Sequence, residues 1–197
     1  RVRFIGEAKT RIAEDYLRIL RFFRFHAAYG RGDPDREGLF ACVEGRAGLD
    51  QLSRERVRME MMKLLLAARA TPTLAVMSEV GLLLRVLGGV PYLAAFEMMT
   101  KVEAAAAVTP DPARRLGALG AVTPEDAERL WQRLRLTNAE HARLAAMGAH
   151  WRQLSPARGE LAARAALYRL KPVHYVDCAL LAWARAQASA HDEAWRA

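Results

Sequence analysis

The sequence has few of the features that mark disulfide-linked, zinc-binding or membrane-spanning proteins. Only two cysteines, Cys42 and Cys178, occur among 197 residues, and their separation fits neither a metal site nor a redox pair. Apolar residues form short clusters that Arg or Glu interrupts, so no run is long enough to cross a bilayer. The first residues contain no secretory signal, and the chain opens at Arg1 without a methionine. We therefore expect part of a longer cytoplasmic protein that does not enter membranes.

Convincing β-strand patterns are also absent. No alternating run of apolar and polar residues leads into a hairpin turn, whereas apolar residues recur at helical spacing over most of the chain. Helix-start signals, in which a hydroxyl residue precedes proline or an acidic residue, occur at Thr71, Thr109, Thr123, Thr137 and Ser155. The sequence predicts an all-α fold, an irregular array of about nine to ten helices. The helices are expected at 10–29, 36–49, 53–68, 72–87, 91–107, 110–119, 124–135, 138–151, 156–170 and 173–190.

The charge of the chain is positive and unevenly distributed. Its 30 basic and 22 acidic residues give a net charge of +8, and the sequence pI is about 10.1. Residues 1–69 carry 15 basic and 10 acidic side chains, and residues 123–197 carry 11 and 8. This excess favours a polyanionic partner such as nucleic acid, because arginine binds phosphate through paired N–H donors. A coding bias toward Arg and Ala would give the same composition and stays open as the alternative.

The first predicted helix has two contrasting faces. At about 100° per residue, one face is apolar and is expected to lie on the core; it comprises Ile12, Tyr16, Ile19, Leu20, Phe23 and Ala27. The opposite face comprises Arg11, Glu14, Asp15, Arg18, Arg21, Phe22 and Phe25. Two phenylalanines are unusual on a solvated face, so we expect another domain or a ligand to cover them.

Asp15 and Arg18 stand three positions apart on this second face and are expected to be neighbours. A carboxylate acceptor beside a forked donor fits the edge of a nucleobase, where an exocyclic amine donates next to a ring nitrogen that accepts. Glu14 precedes Arg18 by one turn and can hold its guanidinium in place. Spacing alone, however, favours a plain ladder of intrahelical salt bridges over this interpretation.

Three sequence motifs follow one another over residues 1–69. They are Arg3-Phe4-Ile5-Gly6, then Glu14-Asp15-Tyr16-Leu17-Arg18, then Ser53-Arg54-Glu55-Arg56-Val57-Arg58-Met59-Glu60. Their order and distances resemble the class II tRNA nucleotidyltransferase and bacterial poly(A) polymerase family. In that family a hinge resembling R-F-I-G is followed by an E-D-x-x-R helix and by an S-x-E-R-x-x-x-E helix. The resemblance is specific over residues 1–69 and compositional beyond them.

The resemblance implies roles for residues of both helices. Asp15 and Arg18 would pair with the Watson–Crick edge of an incoming CTP or ATP, with Glu14 orienting Arg18. Arg21 is included in the same nucleotide-binding set. The residues expected to support this helix are Ser53, Glu55, Arg56 and Glu60.

The resemblance also implies that the catalytic centre lies outside these residues. In the family, a pair of carboxylates in a separate head domain holds two Mg²⁺ ions for attack by the RNA 3′-hydroxyl. The 197 residues contain no acidic pair on a strand after a Gly-Ser turn. We therefore expect no metal site and no activity from this chain alone. Its expected partners are the missing N-terminal catalytic domain, ATP and CTP as substrates, and the 3′ end of tRNA or another RNA.

The implied organisation has two parts, a hinge and neck over residues 1–69 and an RNA-binding helical body and tail over residues 70–197. The turn-rich Gly88-Gly89-Val90-Pro91 predicts a further boundary between subdomains. The arginines expected to contact RNA are Arg129, Arg133, Arg152, Arg164 and Arg169. The implied function is CCA addition to tRNA. Two alternatives stay open, the C-terminal portion of a poly(A) polymerase and a non-enzymatic helical RNA-binding module.

Overall fold

The computed structural model describes residues 1–186 and 188–196, and these residues form helices and connecting turns without a β-strand. This confirms the predicted all-α class. Short 3₁₀ helices cover Gly45–Gln51, Trp151–Gln153 and Pro156–Arg158. The α-helices are α1 Ala8–Glu14, α2 Leu17–Tyr29, α3 Arg36–Glu44, α4 Arg54–Leu65, α5 Ala70–Glu79, α6 Leu82–Leu87, α7 Leu93–Ala105, α8 Pro112–Gly120, α9 Pro124–Leu134, α10 Asn138–His150, α11 Gly159–Leu170, α12 Pro172–Arg185 and α13 Glu193–Arg196. Among the described residues no helix is both long and apolar enough to span a membrane.

The chain divides into two compact units. The first contains Arg1–Pro91 together with Arg133–Arg135, and the second contains Tyr92–Gln132 and Leu136–Ala197. The division follows directly after Gly88-Gly89-Val90-Pro91, the turn-rich connector. The expected division into residues 1–69 and residues 70–197 is one of functional role, not of compactness, and it stays a prediction.

Helix α2 is the centre of the first unit, where it packs against α4 and α5. Its apolar stripe is buried as predicted, with Ile19, Leu20, Phe23 and Ala27 each 0 % exposed. Burying a large aliphatic or aromatic side chain stabilises a fold by roughly 1.5–3 kcal/mol. The stripe therefore fixes which face of α2 points away from the core, and that face carries the charged residues.

The prediction of one continuous helix over 10–29 is wrong. Helix α1 ends at Glu14, Asp15 adopts an extended conformation with φ −157° and ψ 105°, and α2 begins at Leu17. The carboxylate of Asp15 accepts a hydrogen bond from the amide of Leu17 at 3.1 Å. Such local bonding of an aspartate to the backbone competes with helix and favours a new helix start.

Phe22 is buried, although its position on the polar face of the predicted helix suggested that a domain or ligand must cover it. Phe4, which lies before α1 in the same chain, covers it, with ring centroids 5.4 Å apart and the rings 12° from parallel. Gly38 permits this packing, since a Cβ there would lie 2.9 Å from the Phe22 ring. Phe25 is 39 % exposed and stacks on Tyr29.

Most helix-start signals act as expected, and two do not. Ser53 and Thr123 accept hydrogen bonds from the first turns of α4 and α9, and Thr137 forms a reciprocal capping box with Glu140. Ser155 accepts a hydrogen bond in the 3₁₀ helix that precedes α11. The signals at Thr71 and Thr109 are wrong, because α5 begins at Ala70 and α8 is capped by Asp111.

Three further helix boundaries differ from the prediction. The segment 72–87 divides into α5 and α6 at Gly81, whose φ of +73° suits glycine and ends a helix. The segment 36–49 continues beyond Glu44 as a 3₁₀ helix, and the segment 173–190 ends at Arg185.

In the second unit α12 packs against α7, α10 and α11. The apolar centre of this unit includes Met99, Val102, Met147, Leu181 and Trp183, each at most 2 % exposed. Charged side chains are also buried here, and they are described below.

Candidate nucleotide-binding site

The interruption between α1 and α2 brings the charged residues of the second motif together. Arg18 donates through Nη1 to Oε2 of Glu14 at 2.6 Å and to the carbonyl oxygen of Arg11 at 2.7 Å. The carbonyl is free to accept because it lies in the last turn of α1. Within the described residues the side-chain bonds of Arg18 use Nη1 alone, so Nε and Nη2 remain for a ligand.

Glu14 is the anchor of this guanidinium. Its Oε2 also accepts a hydrogen bond from Nη1 of Arg11 at 2.6 Å. The hydrogen bond from Arg18, followed by that from Arg11, lowers the pKa of Glu14 against the opposing effect of its desolvation. The expected contact between Glu14 and Arg18 is therefore present, although the two residues lie on different helices.

Asp15 and Arg18 share a backbone turn instead of a helical face. The amide of Arg18 donates to the carbonyl of Asp15 at 3.0 Å. The side chains of Asp15 and Arg18 are 24 % and 26 % exposed, so a ligand can approach both.

The ion-pair partner of Asp15 is Arg56 of α4, whose Nη2 lies 2.9 Å from Oδ2 of Asp15. The other oxygen, Oδ1, accepts the amide of Leu17. Each of these two oxygens accepts one hydrogen bond and retains a further lone pair. Asp15 is thus held in a fixed orientation and can still accept hydrogen bonds.

A carboxylate of α4 holds the next turns of α2. Glu60 is buried and accepts from Nε of Arg21 at 3.3 Å and from Nε of Arg24 at 2.6 Å. Arg24 also lies over the ring of Phe25, at 4.2 Å from its centroid. Arg21 remains 45 % exposed. The sequence alone does not single out Arg24, because the only local feature that marks this arginine is the aromatic residue after it, Phe25.

The remaining predicted support residues lie at the start of α4. Ser53 caps the helix by accepting the amide of Arg56 at 3.4 Å. Glu55 lies exposed in the first turn, where a negative charge interacts favourably with the helix dipole. The third motif therefore contacts the second through Arg56, and it contacts the following turns of α2 through Glu60.

Tyr16 fixes the start of α2 from the opposite side. Its ring lies on Gly48 so closely that a Cβ at this position would be 2.1 to 2.2 Å from three ring atoms. Only glycine leaves room for such contact, because no Cβ occupies the space. The contact with Gly48 therefore holds Tyr16 in place, and Tyr16 directly follows Asp15.

The arginines expected to contact RNA fall into two groups. Arg129 binds Asp126 and the carbonyl of Gly120, and Arg133, which belongs to the first unit, binds Asp50 and the carbonyl of Arg85. Exposed side chains form the other group, which comprises Arg152, Arg164 and Arg169.

Sequence reasoning missed a buried ionic network in the second unit. Asp177, which is 0 % exposed, accepts from Nε of Arg114 at 2.9 Å and from Nε of Arg143 at 2.6 Å. Glu103, also 0 % exposed, accepts from Arg114 and Arg115. Asp111 completes the network through Arg143. Three cations thus face three anions.

The network stabilises the helices that contribute to it. The hydrogen bonds that Arg143 donates to Asp177 raise the pKa of Arg143, against the opposing effect of burial. Burial tends to raise the pKa of Asp111, but the hydrogen bonds from Arg143 and from the Arg114 amide lower it overall. Because the partners are separated by 11 to 63 positions, no local motif reveals them. The described residues contain no group of three or more His, Cys, Asp or Glu side chains that could hold a metal ion.

Residues 41–97 match the family model described as "Probable RNA and SrmB- binding site of polymerase A". The mitochondrial CCA tRNA nucleotidyltransferase 1 of Mus musculus is 41 % identical over 107 residues, which are 52 % of this chain and 24 % of that protein. The human protein is 53 % identical over 70 residues, covering 33 % of this chain and 15 % of its own length. The CCA-adding enzyme of Geobacillus stearothermophilus is 45 % identical over 78 residues, which are 38 % of this chain and 19 % of that protein. The matched segments thus span less than a quarter of these relatives.

Two solved structures have the same fold. The CCA-adding enzyme of Bacillus stearothermophilus, in complex with CTP, aligns with a TM-score of 0.67 and 23 % identity over 98 % of this chain and 49 % of that chain. The Thermotoga maritima CCA-adding enzyme complexed with tRNA aligns with a TM-score of 0.64 and 14 % identity. The alignment covers 95 % of this chain and 48 % of that chain. Residues 41–97 are thus similar to the polymerase A family model, parts of the chain are similar to segments of CCA-adding enzymes, and the two solved structures share its fold.

Proposed function

We propose that the chain is the nucleotide-selecting and tRNA-binding portion of an enzyme that adds CCA to tRNA 3′ ends. The relatives named as CCA-adding enzymes support this reaction, and the solved structures with CTP and with tRNA support the two ligands. The reading of the base is assigned to Asp15 and Arg18, with Glu14 holding Arg18 and with Arg21 beside them.

The single observation that carries this proposal is the fixed guanidinium of Arg18 next to a fixed carboxylate acceptor on the same turn. Cytosine and adenine each present an exocyclic amine donor beside a ring nitrogen acceptor. Asp15 can accept from the amine while Nε or Nη2 of Arg18 donates to the ring nitrogen. Uracil and guanine present the reverse order of donor and acceptor, so the same pair rejects them.

The supporting contacts explain how the pair stays ordered without a base. Arg56 and the Leu17 amide hold the two oxygens of Asp15, while Glu14 and the Arg11 carbonyl hold one nitrogen of Arg18. Such preorganisation lowers the entropic cost of binding. The third motif therefore acts in this proposal as a positioning element, through Arg56 and Glu60.

The chemical step is proposed to take place in a separate catalytic domain that holds Mg²⁺, with ATP and CTP as substrates. The chain alone is then inactive. Its exposed arginines, Arg152, Arg164 and Arg169, are proposed to contact RNA, whereas Arg129 and Arg133 can do so only through N–H groups that the fold leaves free. Both cysteines are buried and unpaired, in keeping with a reducing cytoplasm as the proposed location.

The experiment that tests the proposal replaces Asp15 or Arg18 by alanine in the full-length protein. We expect the preference for CTP and ATP over UTP and GTP to fall about tenfold or more, because each change removes a charge-assisted hydrogen bond of about 1.5–3 kcal/mol. The affinity for tRNA should stay within about twofold. Unchanged nucleotide preference in both variants would refute the assigned role.

Poly(A) addition is the second candidate, and the description of the matched family model favours it. The same pair would then read adenine. Sequencing the products after extension of a tRNA lacking its 3′ end separates the candidates. CCA ends support the first, and oligo(A) tails support the second.

A further inference from the structure

Two arginines of the second unit lie against the same indole ring. The guanidinium carbon of Arg152 is 4.5 Å from the centroid of Trp151, and that of Arg185 is 5.3 Å from it. Arg185 also lies over Tyr92, at 4.6 Å from the centroid of that ring. Nε1 of Trp151 donates to the carbonyl of Val122 at 3.0 Å, so the ring is held in place.

Among the described side chains, no acid forms an ion pair with either of these two cations. Across residues 1–186 and 188–196, the ion pairs include neither Arg152 nor Arg185, in contrast to the balanced network around Asp177. Asp126 is the nearby acid, and its oxygens already accept from Arg129 and from the amides of Val122 and Thr123. The local charge is therefore positive.

Arg185 is also poorly hydrogen-bonded. Its one hydrogen bond within the described residues is a long one, from Nη2 to the carbonyl of Ala118 at 3.5 Å, and its Nε is buried without an acceptor. An unpaired buried donor is rare and costs about 1–3 kcal/mol. Burial, together with the charge of Arg152, lowers the pKa of Arg185. A neighbouring anion would relieve the repulsion between the two cations and accept hydrogen bonds from the Nη groups of Arg185.

The aromatic rings favour one kind of anion. They contact the guanidinium groups through their faces, which leaves the N–H donors in the guanidinium planes available. Those donors match phosphate oxygens, which accept paired N–H bonds. Because the guanidinium groups already occupy positions over the rings, stacking of an RNA base is not the expected contact.

We propose that Arg152 and Arg185, supported by Trp151 and Tyr92, bind the phosphate backbone of RNA. The inference rests on the proposed function, since tRNA is the expected polyanion, and it assigns Arg185 a role that the sequence motifs do not indicate. Each arginine that contacts a phosphate contributes about one unit to the slope of log affinity against log salt concentration.

The test measures binding of a tRNA transcript by the full chain at several NaCl concentrations. The variants are Arg152→Gln and Arg185→Gln, and the matched control is Lys101→Gln, which removes a cation that is already paired with Glu97 in the same unit. We expect each arginine variant to weaken tRNA binding about tenfold and to reduce the salt slope by about one unit. The control should bind as the wild type does.

Two outcomes overturn the inference. If both arginine variants keep the wild-type affinity and salt slope, the pair does not bind phosphate. If Arg185→Gln unfolds, Arg152→Gln decides, because its exposed side chain bonds only one carbonyl, that of Val122. A wild-type chain that fails to bind tRNA overturns both this inference and the RNA-binding part of the proposed function. Unaltered tRNA binding in both arginine variants, together with altered nucleotide choice in the Asp15 variants, overturns the inference alone.

Discussion

The guanidinium of Arg56 holds the carboxylate of Asp15 with Nη2 and Oδ2 2.9 Å apart, across 41 positions of sequence. This ion pair connects α4 to the extended residue that follows the end of α1. It gives the third motif a physical task, because the orientation of the Asp15 acceptor depends on a side chain of another helix.

Replacing Arg56 by glutamine should therefore reduce nucleotide selectivity, although Arg56 is not assigned a contact with the nucleotide. The pair is partly exposed and contributes up to about 1 kcal/mol, so the ratio of kcat/KM for CTP over UTP should fall roughly two- to fivefold. Steady-state kinetics of the full-length protein measure it. Glu55→Gln, an exposed change in the same turn, is the control and should keep the wild-type ratio. Equal ratios for the two variants would contradict the positioning role.

Gly48→Ala should disturb the same site from the other side. The new Cβ would overlap the Tyr16 ring, so the ring must move, at a cost of about 1–3 kcal/mol. Urea unfolding measures the loss, and the CTP over UTP ratio should fall with it. The neighbouring exposed change Ala47→Ser should alter the free energy of unfolding by less than about 0.5 kcal/mol. A Gly48→Ala variant as stable and selective as the wild type would show that the contact is unimportant.

Asp177→Asn should strongly destabilise the second unit. The change leaves the guanidinium groups of Arg114 and Arg143 in a buried site with one anion too few, which costs about 3–5 kcal/mol. Glu160→Gln removes an exposed ion pair with Arg164 and should cost less than about 1 kcal/mol. Both values come from urea unfolding curves. Similar losses for the two variants would rule out a structural role for the buried network.

The stability of the fold should depend on pH through His26. Burial, and then the charge of Arg69, lowers the pKa of this buried histidine below its ordinary value of 6.5. The unfolded chain therefore binds a proton that the folded chain does not, so stability is full above pH 6.5 and falls as the pH drops below it, by up to about 1.4 kcal/mol per pH unit. Urea unfolding between pH 7.5 and 5 measures the slope. His26→Gln should flatten it, and the exposed change His191→Gln should not.

Local signals in the sequence were sufficient for the helical class and for several helix starts. Ser53, Thr123 and Thr137 cap their helices because the hydroxyl and the amides that it binds lie within one turn. The apolar stripe of α2 is predictable for the same reason, since 3.6-residue spacing determines which side chains share a face.

Features that depend on distant residues were not predictable. The helix ends at Glu14 because Asp15 bonds the Leu17 amide and Arg56, and Arg56 is remote in sequence. Phe22 is buried because Phe4 stacks on it, which spacing along one helix cannot reveal. The network around Asp177 joins four helices, so its charges appear in the sequence as isolated surface residues.

Asp15→Asn in the full-length protein gives the most direct test of base reading by this turn. The substitution keeps the size of the side chain but replaces an acceptor by an amide that can donate to the O4 oxygen of uracil. The ratio of kcat/KM for CTP over UTP should fall about tenfold or more. If Asp15→Asn keeps the wild-type ratio while the protein remains folded and binds tRNA, the carboxylate of Asp15 does not read the base.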